Sequence, residues 1–169
     1  ENGVYFHQGE FEPLLGYAAM LEIEDSFSRK EFGLAEKTSV IPSLTTQKRA
    51  FSANLSTTSP QTALTSGELV RQWQQGGRSY FQYEMPQKIY PVVGYFSAQY
   101  QRHQVTANGI PITLYFHPEH QRNVTEIAKA AKFTLETMQK QFGDYPYTSL
   151  RIIEVPNFHP FGGRASAGI

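Results

Sequence analysis

The sequence predicts a mainly β fold, a sandwich or an open, saddle-like sheet, followed by a long helix and a strand that begin a second, α+β unit. Three observations predict it. From Phe51 onward, short runs of alternating apolar and polar residues recur with turn signals between them. Two of those signals, Gly76-Gly77 and Asn108-Gly109, have the positive-φ chemistry that a tight hairpin needs. The apolar period then changes from two residues to 3.6 at Asn123 and holds to Phe142.

Taken in order, "GVYF" near the start reads as a short strand. "EDSFSRKEFGL" reads as a short helix, with Asp25 or Ser26 as its cap and Gly33 at its end. "FSANLST" alternates as a strand does. "LVRQWQQGGRSYFQYEM" reads as two strands joined at Gly76-Gly77, and "VVGYFSAQYQ" as another. "HQVTANGIPITLYFH" contains the second hairpin, and Pro118 breaks its last strand. In the helix, Val124, Ile127, Ala128, Ala131, Leu135, Met138 and Phe142 recur on one face, which predicts that they share a core. Asn123 is placed to cap its first turn, with Glu126 three residues on, and Gly143 to end it. "LRIIEV" reads as a buried strand. One helix and one apolar strand make no core alone, so the boundary between the two units is expected at 118/119.

Composition narrows the classes of function. The chain has 169 residues, 40% hydrophobic and 18% charged, which is a globular balance. Fifteen basic and fifteen acidic residues cancel, so attraction to nucleic acid through bulk charge is excluded. No apolar run approaches the ~20 residues that span a bilayer. Without a start methionine or signal-peptide pattern, the chain reads as a segment of a longer protein. With no cysteine, disulfides and thiolate metal sites are excluded. Ten Tyr, twelve Phe and one Trp read first as sheet faces. A sugar-stacking platform is the alternative, and it would require several of them on one open face.

The motifs that carry chemistry are few. His117, Glu119 and His120 lie within four residues, but Pro118 breaks the helical i, i+4 geometry that puts two imidazoles on one face, so a polar turn is expected there. His7, His103 and His159 are scattered. Asn54-Leu55-Ser56 and Asn123-Val124-Thr125 fit the glycosylation sequon, a motif short enough to arise by chance. "GGRASAG" lacks the lysine and hydroxyl residue of a phosphate loop. Gly-rich backbone after a strand suits main-chain recognition of an extended ligand, and equally an ordinary loop.

The run "FGDYPYTSLRIIEVPNF", followed by the Gly-rich stretch, resembles the aminopeptidase N type of zinc metallopeptidases, the gluzincins. The family pattern reads approximately Y-F-G-x-Y-P-Y-x-K-L-D, V-P-x-F, G-A-M-E-N. Phe142, Gly143, Tyr145, Pro146, Tyr147, Leu150, Val155, Pro156 and Phe158 fit it. "LTSGELV", the Trp73 hairpin and "YPVVGYFSAQY" resemble the family's N-terminal β domain in the same order. The opening stretch from Asn2 to Leu34 resembles most a divergent branch, large bacterial membrane proteins that join an ABC-transporter permease to an aminopeptidase domain.

The resemblance implies an N-terminal β domain over residues 1–118 and the truncated start of a thermolysin-like catalytic domain over 119–169. It implies a membrane-associated parent, with this domain extracytoplasmic and the membrane reached through parts outside the chain. Peptide substrate and the rest of the catalytic domain are the implied partners. The family's zinc ligands, two His of an H-E-x-x-H helix and a later Glu, do not occur here, so zinc is implied for the parent and not for this chain. Gly162, Gly163, Arg164, Ala165 and Ser166 are the implied substrate-binding edge strand, with Gln8 as a further candidate. Gly163 matches the glycine of G-A-M-E-N, but Arg164 and its neighbours bring no carboxylate for a substrate's α-amine. An extracytoplasmic β-sandwich interaction module of a transporter, without peptidase activity, is the alternative. The segment from Phe158 onward is expected to be poorly ordered or paired with another molecule in a non-physiological dimer, because its partner strands are absent.

Overall fold

The computed structural model describes residues 3–7, 22–37, 48–155 and 163–169. Among them the fold is mainly β, with three three-stranded sheets and one long helix. Strand β1, Gly3–His7, and the short helix α1, Ser26–Glu31, come first. Asp25 caps α1 by accepting the Ser28 N–H at 2.7 Å, and Gly33 follows with a φ of 68°. Sequence chemistry thus fixes both ends of this helix.

Both hairpins form where the turn dipeptides stand. Strands β2, Ser52–Thr58, and β3, Thr62–Leu64, precede β4, Glu68–Gln75, and β5, Arg78–Glu84. Gly76 and Gly77 between β4 and β5 have φ of 58° and 75°. Strands β6, Gly94–Ala98, β7, Gln101–Ala107, and β8, Ile110–Phe116, follow. Asn108 and Gly109 turn β7 into β8 at φ of 47° and 82°. Two successive positive φ values match the right-handed twist of the flanking strands. One stretch, "VVGYFSAQYQ", was expected to be one strand; the structure ends it at Ala98 and starts β7 at Gln101.

The sheets are ordered β1-β6-β3, β2-β5-β4 and β7-β8-β9, where β9 is Leu150–Ile153. All pairs are antiparallel except β8–β9, in which Ile112, Thr113, Leu114 and Tyr115 pair in parallel with Leu150 to Ile153. A parallel pair needs a crossover, and helix α2, Val124–Phe142, provides it. Two clusters form the core. Ala107, Ile112, Leu114, Val124, Ala128 and Leu135 pack between the last sheet and α2, with Leu150 and Ile152 against them. Ala63, Leu64, Phe81, Tyr83 and Phe96 pack on the other side, with Tyr115, Ile153 and Val155 against them. Alternate residues of β8 and β9 therefore serve opposite cores, as the two-residue period of a strand dictates.

Two expectations about α2 are corrected. Val124, Ala128 and Leu135 are buried and Ala131 packs beside them, but Ile127 and Met138 are about half exposed and Phe142 is 79% exposed. The helix lies chiefly over β7 and β8, a strip narrower than its apolar face. Asn123 stands at the N-cap position but makes no side-chain capping bond. The 3-10 turn Gln121–Asn123 enters the helix directly and sets the Asn123 backbone at φ −106°, ψ −1°, away from the extended geometry that a cap needs. Glu126 pairs with Lys129 at 2.8 Å instead of reaching back to the cap. Gly143 does end the helix, with its N–H on the Gln139 carbonyl at 3.0 Å.

The described aromatics divide between core and surface, with Phe6, Phe27, Phe32, Tyr90, Phe133 and Phe142 exposed. Phe81, Tyr83 and Phe96 are buried. The face of β5 opposite Phe81 carries one stacked pair, Trp73 on Tyr80, with ring centroids 5.0 Å apart. Arg71 lies over the Trp73 ring at 4.9 Å, so that ring is already engaged.

Replacing Leu135 by alanine should lower the unfolding free energy by about 2–4 kcal/mol, the usual loss for a buried leucine. Phe133→Ala, at a site 71% exposed, should change it by less than about 0.5 kcal/mol. Urea denaturation of the two variants checks which face of α2 is core.

Candidate functional site

Strand β9 lies at the edge of its sheet and organises the site. Its Glu154-side backbone turns to β8, since the Glu154 N–H bonds to the Tyr115 carbonyl at 2.9 Å. By alternation, Arg151 and Ile153 turn their N–H and C=O groups to the outer edge. On that edge the Arg151 N–H bonds to the Gly168 carbonyl at 2.9 Å. Among the described residues, nothing bonds to the Ile153 backbone there.

The partner on the edge is the Gly-rich segment itself. Ser166 and Ile169 exchange backbone bonds at 2.9 and 3.0 Å around Ala167-Gly168, and Gly168 has a φ of 74°. Residues 166–169 thus form a tight turn seated on β9, with Gly168 buried. The expectation of a poorly ordered segment is corrected for residues 163–169; residues 158–162 lie outside the described residues. The turn docks because Arg151 supplies a donor and Ile169 packs against the second core cluster.

Beside it is a cavity of about 580 Å³. Tyr5 and Phe96, stacked at 4.8 Å, form one wall, and β9 forms another. Gly163, Arg164 and Ala165 line it and are exposed. Ser166 belongs elsewhere, with its hydroxyl 3.4 Å from that of Ser66. Gly162 and Gln8 lie outside the described residues. A Cβ on Gly163 would meet nothing within 4 Å, so no close backbone approach requires glycine there.

The histidine turn is a latch between elements. The Glu154 carboxylate accepts the His117 N–H at 2.8 Å and contacts His120 Nδ1. His117 Nδ1 accepts the Glu119 N–H at 3.2 Å, which leaves the Glu119 carboxylate out of the group. The end of β9 is thereby tied to the start of α2. Among the described residues no group of three or more His, Asp or Glu could hold a metal. With no H-E-x-x-H in the sequence, this chain's donor set does not fit the zinc of the family it resembles.

Sequence reasoning missed Arg151. It sits in a run that reads as purely apolar, yet its side chain reaches the Gly67 carbonyl at 2.6 Å and lies over the Tyr83 ring at 5.5 Å. The signal was the one basic residue inside "LRIIEV". Burial raises the phenol pKa of Tyr83, against a smaller opposing pull from Arg151. Burial also raises that of Tyr100, helped by the Glu154 carboxylate. The Tyr145 hydroxyl is pushed up to about 12, chiefly by burial, then by Tyr147.

The class that these features define is a β domain whose last sheet is completed by a βαβ crossover, with a Gly-rich turn docked on the outer strand. No protein-family model matches the sequence, and no curated protein matches it. Solved structures do share the fold. A two-domain M1 zinc metallopeptidase, in mutant form bound to L-arginine, superposes with a TM-score of 0.52 at 14% identity, over 62% of this chain and 26% of that one. A mutant M1 zinc metallopeptidase from Deinococcus radiodurans superposes with a TM-score of 0.53, also at 14% identity and over the same shares. At that identity the likeness is one of fold, and the chain spans about a quarter of the length of those structures. Among the described residues no helix is long and apolar enough to cross a membrane.

Raised phenol pKa values fix the alkaline limit of stability. The ordinary value is 10.0, so below about pH 10 folded and unfolded chains both hold these protons and stability is unaffected. Above it the unfolded chain ionises first, and stability falls as pH rises toward the folded values. Absorbance near 295 nm should show Tyr83, Tyr100 and Tyr145 still un-ionised at pH 10 to 11, and their ionisation should coincide with loss of the near-ultraviolet circular dichroism signal.

Proposed function

We propose that this chain is the non-catalytic N-terminal portion of a membrane-associated zinc peptidase of the aminopeptidase N type. It walls the active-site cleft and supplies the edge strand, Gly162 to Ser166, that meets the peptide backbone. Residues 1–118 are its β domain and 119–169 the start of the catalytic domain. Zinc and its ligands come from the parent outside these residues, together with the rest of the catalytic domain. One observation carries the reading: the 166–169 turn lies on the outer edge of β9 and residues 163–165, just before it, line the Tyr5–Phe96 cavity, in a fold shared with M1 zinc metallopeptidases. The ABC-transporter permease fusion and the extracytoplasmic location rest on the resemblance of the opening stretch alone.

Arg164 gives the reading its specificity. Where the family places a carboxylate that pairs with a substrate's α-ammonium, this chain brings a guanidinium to the cavity wall. On this reading a substrate's α-ammonium finds no carboxylate in Gly163 to Ala167, so the parent does not favour free N-termini. The alternative is an extracytoplasmic interaction module without peptidase activity, and the exposed Phe133, Met138 and Phe142 on α2 favour it as a contact surface.

The test is the reading frame beyond Ile169, expressed with this chain and analysed for bound zinc. An H-E-x-x-H helix within about a hundred residues, a ligand Glu after it and one zinc per chain are the expected outcome. Peptides blocked at the N-terminus should then be cleaved at least as fast as free ones, and Arg164→Glu should shift the preference toward free ones. An intact frame without those ligands sinks the peptidase and leaves the interaction module.

A further inference from the structure

Two arginines among the described residues are buried, and their charges are met very differently. Arg29 donates from Nε and Nη2 to the Ala35 carbonyl at 2.9 and 2.6 Å, and from Nη1 to the Ile23 carbonyl at 2.9 Å and the Glu22 carboxylate. Each of its nitrogens has an acceptor, and one acceptor is charged. Arg151 is 7% exposed and donates once, from Nη2 to the Gly67 carbonyl. Its Nε is buried without a partner, and no described carboxylate forms an ion pair with it. A guanidinium carries five N–H donors, and a buried charge without a counter-charge is costly. Arg151 is therefore short of an acceptor.

Arg151 lines a cleft of about 120 Å³ between the start of β4, the Met85–Gln87 segment and the turn before β9. Glu68 lines the same cleft. Its Oε1 accepts the hydroxyls of Thr148 and of Ser149, the latter at 3.4 Å, and no described cation pairs with it. The cleft thus offers a guanidinium with free donors and a carboxylate with free lone pairs, and the two do not meet. A simple anion on Arg151 would be repelled by Glu68, and a simple cation on Glu68 by Arg151. A ligand that carries both charges satisfies both groups.

We propose that this cleft binds a small zwitterion, an α-amino acid of the size of glycine or alanine. Its carboxylate accepts from Arg151 and its ammonium donates to Glu68. The cleft volume of about 120 Å³ is on the scale of such a ligand. The inference does not depend on the peptidase reading, because it rests on Glu68 and the Gly67–Arg151 contact, whatever the Tyr5–Phe96 cavity, which Arg151 also lines, accepts.

The test is a nitrogen–proton NMR titration of the 169-residue chain with glycine, with sodium acetate and with methylammonium chloride as half-ligands, and with L-tryptophan as an oversized ligand. Glycine should give saturable shifts at Gly67, Glu68, Ser149 and Gly168 and at the Arg151 side chain. Each half-ligand should bind at least about tenfold more weakly, as loss of one charge-assisted contact implies. Glu68→Gln, which leaves Arg151 and the core intact, should weaken glycine by about tenfold or more while the rest of the spectrum stays native. Arg151→Met also removes the bond to Gly67 that supports the fold, so Glu68→Gln carries the test. Absence of saturation with glycine overturns the proposal, leaving a water-bridged structural pair. So does acetate binding as tightly as glycine, tryptophan binding as tightly as glycine, or glycine affinity unchanged in Glu68→Gln.

Discussion

The parallel pairing of β8 with β9 is the constraint on which the rest of this structure depends. Four residue pairs, from Ile112 with Leu150 to Tyr115 with Ile153, hold a strand that no hairpin could place. The pairing forces α2 across one face of the sheet, and it gives β9 two buried faces. Leu150 and Ile152 then belong to the helix core, and Ile153 to the core shared with the other sheets. Parallel strands are stable where both faces are covered, and both are covered here. The histidine latch on Glu154 and the turn on Arg151 both hang on this one strand.

The outer edge of β9 explains why the Gly-rich segment is ordered where it is described. An uncovered edge presents unpaired N–H and C=O groups, and proteins seldom leave one bare. Here the 166–169 turn covers the first outward position and leaves the second open. Arg151 of the same strand lines both hollows. Toward Tyr5 and Phe96 the cavity sets Arg151, Glu154 and Arg164 among aromatic and aliphatic side chains, and toward Gly67 the cleft sets Glu68 beside Arg151.

Most of the local structure was legible in the sequence, because it is set by local chemistry. Gly76-Gly77 and Asn108-Gly109 dictate their hairpins, Asp25 and Gly33 bound α1, and the 3.6-residue period marks α2. What was not legible depends on residues far apart in the chain. Which part of the α2 stripe is core follows from the width of the sheet beneath it, so Ile127 and Met138 could not be told from Val124 and Leu135 by spacing. The Asn123 cap failed because Gln121 and Arg122 continue as a 3-10 turn, a detail of backbone geometry. Of the candidate site, the Gly-rich segment and its strand were visible as a pattern. Arg151 was not, since its role comes from Gly67 and Tyr83, more than sixty positions earlier.

The crossover also sets an order of events in folding. The β7–β8 and β4–β5 hairpins close over two-residue turns and form on the microsecond scale. Strand β9 joins only after the chain through α2 has been gathered, because its partner Ile112 lies a whole helix away and loop closure is paid before the contact repays it. Until then Ile112 and Leu114 have one neighbour strand instead of two. Until β9 docks, the free side of β8 is an open edge, and that is where pairing with another molecule competes with pairing within the chain.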